Sequence, residues 1–382
     1  MPHSSNERLE QRLLKIIAGD VPGWRATLIC GLLRMLSWIF YILVQLRLLL
    51  FKHRIIRAST LGCQVISVGN VTVGGTGKTP IVETFARSLG NKGRKVAILS
   101  RGYKSRKTPL WEKIVKKEEW LPRVVSDGES LLLNSDLAGD EPYMLATNLP
   151  KVAVLVDKDR VKSGKYAIRK LGCDTLVLDD GFQYLSLQNR LDIVLVDYTN
   201  PFGYGNVLPR GLLREPKCNL KRAGFIFITK CPPEGAPELK AKLRELNPHA
   251  EISECRHSTK YLENLYTRER VELRFLKGKK VSAVSGIAVP EGFENGLRGL
   301  GAEIVHSAQY ADHYRYTQQE IIETINHAAE AGAEMIITTE KDAVRFPRID
   351  RRDLSVFFLR VEIEMLTGAE AFNDWIDRIC FK

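Results

Sequence analysis

Residues 65–90 read "VISVGNVTVGGTGKTPIVETFARSLG". A short β-branched run (65–68) leads into a glycine-rich turn, and the turn opens into a stretch with apolar residues at Ile81, Val82, Phe85, Ala86 and Leu89, the stripe of a helix with one buried face. Strand, loop and helix in that order bring backbone N–H groups and the positive end of a helix dipole to one point, where they bind an anion. Gly74, Gly75 and Gly77, with Thr76 between them, let the chain curl at positive φ and approach phosphate closely. Lys78 is placed to reach the β and γ phosphates, and the Thr79 hydroxyl to bind Mg²⁺. Pro80 suits the first helical turn, where a missing N–H is tolerated. Thr72 stands where the strict G-x-x-x-x-G-K-[ST] spacing has its first glycine, so the competing reading is a glycine-rich turn with an incidental lysine.

Outward from this turn, apolar runs at 95–99, 152–156, 175–179, 192–196 and 225–229 show no polar alternation. Strands buried on both faces have that pattern, so the predicted fold is α/β: a P-loop NTPase-type, mainly parallel sheet flanked by helices. A smaller second α/β lobe is expected from strands at 281–286, 334–339 and 356–361 and helices around 290–300 and 318–331. The predicted division is an N-terminal membrane-associating helical segment (1–61), a P-loop core (62–256), a polar linker (257–276), the C-terminal lobe (277–362) and a terminal helix packing back on the core (363–382). Residues 104–138, which carry Trp111 and Trp120 in no clear period, read as an insertion or lid.

The chain of 382 residues is long enough for two compact units. Its seven cysteines form no C-x-x-C pair and are odd in number, poor material for a disulfide framework or a zinc site. A net charge of +12 suits nucleic acid, an anionic membrane surface or a phosphorylated substrate. No aromatic-plus-basic motif of an RNA module appears, and no nucleic-acid partner is expected. The most apolar stretch runs from Trp24 to Arg57. Acidic and basic residues are mixed ahead of it and no small-residue cleavage site follows, so it is not a signal peptide. Its longest charge-free run, Met35 to Leu46, has 12 residues, short of the ~20 that span a bilayer. Trp38, Phe40 and Tyr41, followed by Lys52, His53, Arg54 and Arg57, fit a helix lying in or dipping into an anionic headgroup layer; the alternative is a helix buried against the catalytic core.

A P-loop needs an acid at the end of a neighbouring strand to orient its metal, and "TLVLDDGFQ" supplies Asp179 and Asp180. At least one of them is expected at the Mg²⁺ site, and the other could cap the following turn. The chain has no [NT]-K-x-D guanine signature, which leaves ATP as the expected nucleotide. Further polar clusters, "GDEP" (139–142), "DKDR" (157–160), "LPRGLLREP" (208–216) and "ADHYRYT" (311–317), could each be a cap, a turn or a surface pair. Together they are the parts of a phosphotransferase: arginines for migrating phosphoryl charge and an acid or histidine to take a hydroxyl proton.

The set "SVGNVTVGGTGKTP", "LSRGY", "GDEP", "LDDGFQ", "LPRGLLREP", "SGIAVPEGF", "ADHYRYT" and "TTEKDAVR", in order from 67 to 345, closely resembles the tetraacyldisaccharide 4′-kinases of lipid A biosynthesis. The resemblance implies an ATP- and Mg²⁺-dependent kinase on the cytoplasmic face of the bacterial inner membrane, acting on the 4′-hydroxyl of an acylated disaccharide 1-phosphate lipid. It implies that Lys78 and Thr79 hold phosphates and metal, that Asp179 and Asp180 complete the metal environment, and that Asp140 is the catalytic base with His313 as its partner. Arg160, Arg214 and Glu215 match charged positions lining the same cleft. Tyr184 follows "DDGFQ" where the family usually has histidine, and "SGIAVP" replaces the family's "SGIGNP", so roles tied to that histidine or asparagine do not transfer. A monomer is expected. The rival from another class is a P-loop ATPase acting as a switch or metallochaperone, in which Asp140 would orient water.

Overall fold

The structure, a computed structural model, describes residues 5–102, 121–188, 190–347, 349 and 353–380, with side chains from residue 12 onward. Most of the segment read as an insertion, including Trp111 and Trp120, lies outside the described residues. In chain order the strands are β1 Gln64–Asn70, β2 Val96–Ser100, β3 Arg123–Asp127, β4 Ala153–Val156, β5 Thr175–Asp179, β6 Arg190–Asp197, β7 Phe225–Thr229, β8 Glu251–Asn264, β9 Arg270–Glu272, β10 Lys280–Ser285, β11 Glu303–Gln309, β12 Met335–Thr339 and β13 Ser355–Thr367. Contacts divide the chain into two compact units, the first formed by Met1–Arg101, Asp159–Arg256 and Met365–Lys382, the second by Gly102–Lys158 and His257–Glu364.

In the first unit the strand order is β8-β7-β6-β1-β5-β2, and every neighbouring pair is parallel. β1 is flanked by β5 on one side and β6 on the other, so strand order reverses about it and a crevice opens at its carboxyl end, the usual ligand position of such sheets. The β-branched runs bury both faces: every residue of β2, β5 and β7 is buried. The helix Lys78–Asn91 buries Ile81, Val82, Phe85, Ala86 and Leu89 against the sheet. The helix Ala369–Cys380 adds Phe372, whose ring meets Phe85 edge-on at 4.8 Å, and Trp375, 5.5 Å from Phe225.

The N-terminal apolar segment is one helix, Trp24–Lys52, the one described helix long and apolar enough to cross a membrane. Among its residues only Ser37 is buried. Its hydroxyl donates to Val207 O at 2.8 Å and accepts from Arg210 N at 2.9 Å, while Phe40 packs against the core. Leu28, Leu32, Met35, Ile39, Ile42 and Leu46 stay exposed. The alternative of a core helix does not hold, because a buried helix cannot leave such a stripe uncovered.

The second unit has the parallel order β11-β10-β12-β13, with the helices Pro290–Gly299 and Gln318–Glu330 among its packing elements. A capping box, Thr317 with Glu320, starts the latter helix. Residues 257–264, read from sequence as the start of a linker, continue β8, with Leu262 fully buried and an antiparallel pairing to β9; polar side chains on one face of a strand imitate a linker. The described residues 121–158 also differ from the predicted division, since they belong to the second unit. They supply the antiparallel pair β3–β4 and the helix Asp140–Asn148.

Candidate functional site

The glycine-rich turn of the first unit is built as an anion cradle. Gly74 has φ 120° and Gly77 has φ 78°, conformations that a side chain would strain. A Cβ added to Gly74 or Gly75 would meet nothing within 4 Å, so these glycines face open space. Gly77 immediately precedes the helix Lys78–Asn91 and caps it without any side-chain bond, leaving the first helical N–H groups to a ligand. Thr72 sits in a short pairing with Leu213: Val73 N donates to Leu212 O and Arg214 N to Val71 O, both at 2.7 Å. An extended residue needs no positive φ, which is why a first glycine is dispensable. Thr229 Oγ1 donates to Thr76 O at 3.0 Å and fixes the tip of the turn.

The same pairing brings "LPRGLLREP" to the carboxyl end of β5. Arg214 Nη1 lies 2.9 Å from both oxygens of Asp180, and Lys78 Nζ lies 3.5 Å from Asp180 Oδ1 and 3.4 Å from Asn70 Oδ1. Burial pushes the Asp180 carboxyl up, but Lys78 and Arg214 outweigh it and hold its pKa below the usual carboxylate value. Asp180 has φ 53°, the left-handed region, a strain of ~1–3 kcal/mol that clusters at functional positions. Asp179 is buried and accepts from Ser100 Oγ at 3.0 Å.

Among the described residues no cluster of three or more His, Cys, Asp or Glu side chains could cage a metal. The Thr79 hydroxyl, Asp179 and Asp180 are hard oxygen donors, and a set of two carboxylates plus hydroxyl fits Mg²⁺, which keeps waters and takes its remaining ligands from phosphates.

Two of the predicted cleft residues are placed differently. Arg160 is buried, its guanidinium against Asp179 O at 3.5 Å and over the Tyr184 ring at 5.0 Å. Glu215 is buried and accepts from Asn219 at 3.0 Å and from Arg222 at 2.7 Å. Both brace the segments that carry Asp179 and Arg214. Tyr184 does likewise: its hydroxyl accepts from Arg160 N at 3.0 Å and donates to Asp159 Oδ1 at 3.2 Å, closing the start of the helix Arg160–Leu171.

In the second unit, Asp140 opens the helix Asp140–Asn148. His313 Nδ1 lies 3.1 Å from its Oδ2. Both residues belong to one unit, where sequence division places them in different lobes. Arg315 Nη2 is 2.9 Å from Asp140 Oδ1, and Arg345 Nε is 3.4 Å from Oδ2. Burial raises the Asp140 pKa, but the His313 hydrogen bond, Arg315 and Arg345 together hold it below the ordinary carboxylate value. His313 is left-handed, φ 63°, with its N–H bonded to Gly286 O at 3.1 Å. Asp140, Glu141, Met144, His313, Lys341 and Arg345 line one shallow surface concavity. Sequence reasoning assigned no role to Asn70, Arg315 or Arg345, although each stands inside a quoted motif.

The comparisons follow the same chemistry. The family described as tetraacyldisaccharide-1-P 4′-kinase matches residues 29–380. A tetraacyldisaccharide 4′-kinase of Anaeromyxobacter dehalogenans is 40% identical over 86% of this chain and 85% of its own. Another, from Halothermothrix orenii, is 35% identical over 96% of this chain and 97% of its own. Among solved structures, the "apo" form of LpxK from Aquifex aeolicus in complex with ATP is similar with a TM-score of 0.71 at 28% identity, covering 92% of this chain and 100% of that one.

Proposed function

This chain belongs to the tetraacyldisaccharide-1-phosphate 4′-kinase family, and on that premise we propose that it transfers the γ-phosphoryl group of ATP to the 4′-hydroxyl of a tetraacyldisaccharide 1-phosphate, with the residues described above in the following roles. The amides of residues 74–79 and the Lys78 ammonium hold the triphosphate. Arg214 meets phosphoryl charge, while Arg160 and Glu215 support the segments around it. Thr79, Asp179 and Asp180 would hold Mg²⁺, which supplies charge neutralisation at the phosphate oxygens.

Transfer forms one P–O bond and breaks another: the 4′-oxygen bonds to the γ-phosphorus, the bond to the bridging oxygen breaks, and ADP leaves. The hydroxyl proton passes to the Asp140 carboxylate. His313, bonded at Nδ1, orients that carboxylate and stabilises the pair as the proton arrives. The observation that carries this reading is the 3.1 Å bond between Asp140 and His313, which joins motifs 173 residues apart.

The substrate's acyl chains explain the exposed stripe of the helix Trp24–Lys52. Burial of ~0.8 kcal/mol per CH₂ in the bilayer keeps such a lipid in the membrane, so the enzyme works at its surface, as a monomer on the cytoplasmic face where ATP is present.

The test is phosphate transfer from labelled ATP to a tetraacyldisaccharide 1-phosphate. Asp140→Ala and His313→Ala are expected to bind ATP normally and to lower kcat by ~10²–10⁴. Near-normal turnover in both overturns the base assignment. A switch ATPase would instead release ADP equally well without the lipid.

A further inference from the structure

Arg345 belongs to "TTEKDAVR", whose charged residues the proposed reaction does not use. It follows the short helix Glu340–Ala343, and its side chain is 0% exposed, a rare state for an arginine unless its charge is paired. Nε lies 3.0 Å from Lys341 O and 3.4 Å from Asp140 Oδ2. Nη1 donates to Gly286 O and Tyr314 O, both at 3.3 Å. Nη2 lies 3.4 Å from Asp342 Oδ1, a carboxylate also 0% exposed. Asp342 is held in turn by Tyr316 Oη at 2.8 Å and Thr339 Oγ1 at 2.6 Å.

Gly286 O accepts from both Arg345 Nη1 and the His313 backbone N–H. One guanidinium is therefore ion-paired with the candidate base and hydrogen-bonded to the carbonyl that holds the base's partner. A surface ion pair would be replaceable, but this guanidinium is buried and its planar Nε and Nη1 donors reach three backbone carbonyls, Lys341, Gly286 and Tyr314, a spread that a lysine cannot reproduce.

We propose that Arg345, fixed by the Asp342 carboxylate, is a positioning residue of the phosphoryl-transfer site, holding Asp140 Oδ2 ionised and aimed along the line shared with His313. The inference rests on Asp140 being the base. Charged groups facing Asp140 are His313 from the 311–317 segment, Arg315 from the same segment and Arg345. Behind them stand Asp312 at 3.8 Å from His313 Nε2, Asp136 at 2.9 Å from Arg315 Nη1, and Asp342. Lys341 and Glu141 pair 3.9 Å apart beside them. Arg315 is partly exposed and shared with Asp136, so screening weakens it; Arg345 is the one buried cation in the set.

The experiment compares wild type, Arg345→Met, Arg345→Lys and Asp140→Asn, with kcat and KM for both substrates followed from about pH 3.5 to 8, a range that reaches below the ordinary carboxylate value, and the folded fraction measured for each at every pH. Removing an opposite charge 3–4 Å from a carboxylate raises its pKa by ~1–3 units, so Arg345→Met is expected to move the acid limb of kcat/KM upward by about one unit or more. It should also lower kcat at least tenfold with KM for ATP unchanged. Arg345→Lys keeps the charge and loses the planar donors, so it should lower kcat while leaving the acid limb near that of wild type. Should Arg345→Met not fold, Arg345→Lys decides by its kcat per folded molecule. A folded Arg345 variant with wild-type kcat and acid limb overturns the inference. Near-normal turnover in Asp140→Asn would instead overturn the base assignment beneath it.

Discussion

Gly286→Ala tests whether the second unit's charged network is as tightly seated as its geometry demands. A Cβ built there would lie 2.8 Å from Tyr316 Oη, 3.0 Å from Asp342 Oδ1 and 3.1 Å from Ala311 O, each well inside van der Waals contact. None of the three can yield easily. The Tyr316 ring is packed 4.7 Å from Phe346 and 5.0 Å from Tyr310, Asp342 is tied to Arg345 and Thr339, and Ala311 O accepts from Tyr314 N at 3.0 Å. Overpacking a rigid site destabilises by ~1–3 kcal/mol, and three simultaneous contacts put this one near ~2–3 kcal/mol. With a urea m-value of ~3 kcal/mol per M for a chain of this size, the unfolding midpoint should fall by roughly 0.7–1 M. Because the Gly286 carbonyl anchors both His313 and Arg345, a shift of about 1 Å there should also lower kcat roughly a hundredfold.

The control is Gly296→Ala in the helix Pro290–Gly299, where an added Cβ meets nothing within 4 Å. Alanine in a helix interior is favoured over glycine by ~0.5–1 kcal/mol, so that midpoint should rise by roughly 0.2–0.3 M with kcat unchanged. Urea titration followed by tryptophan fluorescence and circular dichroism reads both variants. Midpoints that move together, or a Gly286→Ala enzyme with wild-type midpoint and kcat, would refute the reasoning.

The carboxyls of Asp140 and Asp180 both have folded-state pKa values below their ordinary 3.8. Each therefore contributes stability that is complete above its unfolded pKa and lost as pH falls through the lower folded value. Urea midpoints attributable to these groups should hold from pH 7 to about pH 5 and drop below about pH 4, and Asp180→Asn should flatten that drop; an Asp180→Asn profile identical to wild type below pH 4 would contradict the assignment. At the N-terminus, Ile39→Asp with Leu43→Asp places two charges on the exposed stripe. Co-flotation with vesicles rich in anionic lipid should weaken roughly tenfold or more while ATP binding is unchanged, and undiminished flotation would remove the helix from the membrane.

The strand, glycine-rich turn and helix at 65–90 are legible in the sequence because they form a local object. β-branched residues 65–68, glycines at 74, 75 and 77 and the helical stripe from Ile81 to Leu89 prescribe strand, turn and helix within one short segment, and the uniformly apolar runs prescribe a parallel sheet around it. Family membership was legible for the same reason, since its motifs are short strings. What the string could not specify is which distant groups meet. That 257–264 continues a strand, and that Arg160 and Glu215 brace the site from within, depends on packing between segments that no period records. The same holds for Asp140: the residue types at 139–142 suggest an acid at a helix start, but its charge state and direction come from His313, Arg315 and Arg345, 173 to 205 positions along the chain. Backbone conformation answers to neighbours a few residues away, whereas the electrostatics of a buried carboxylate answer to whatever lies within about 4–6 Å in space, and only the folded chain decides that.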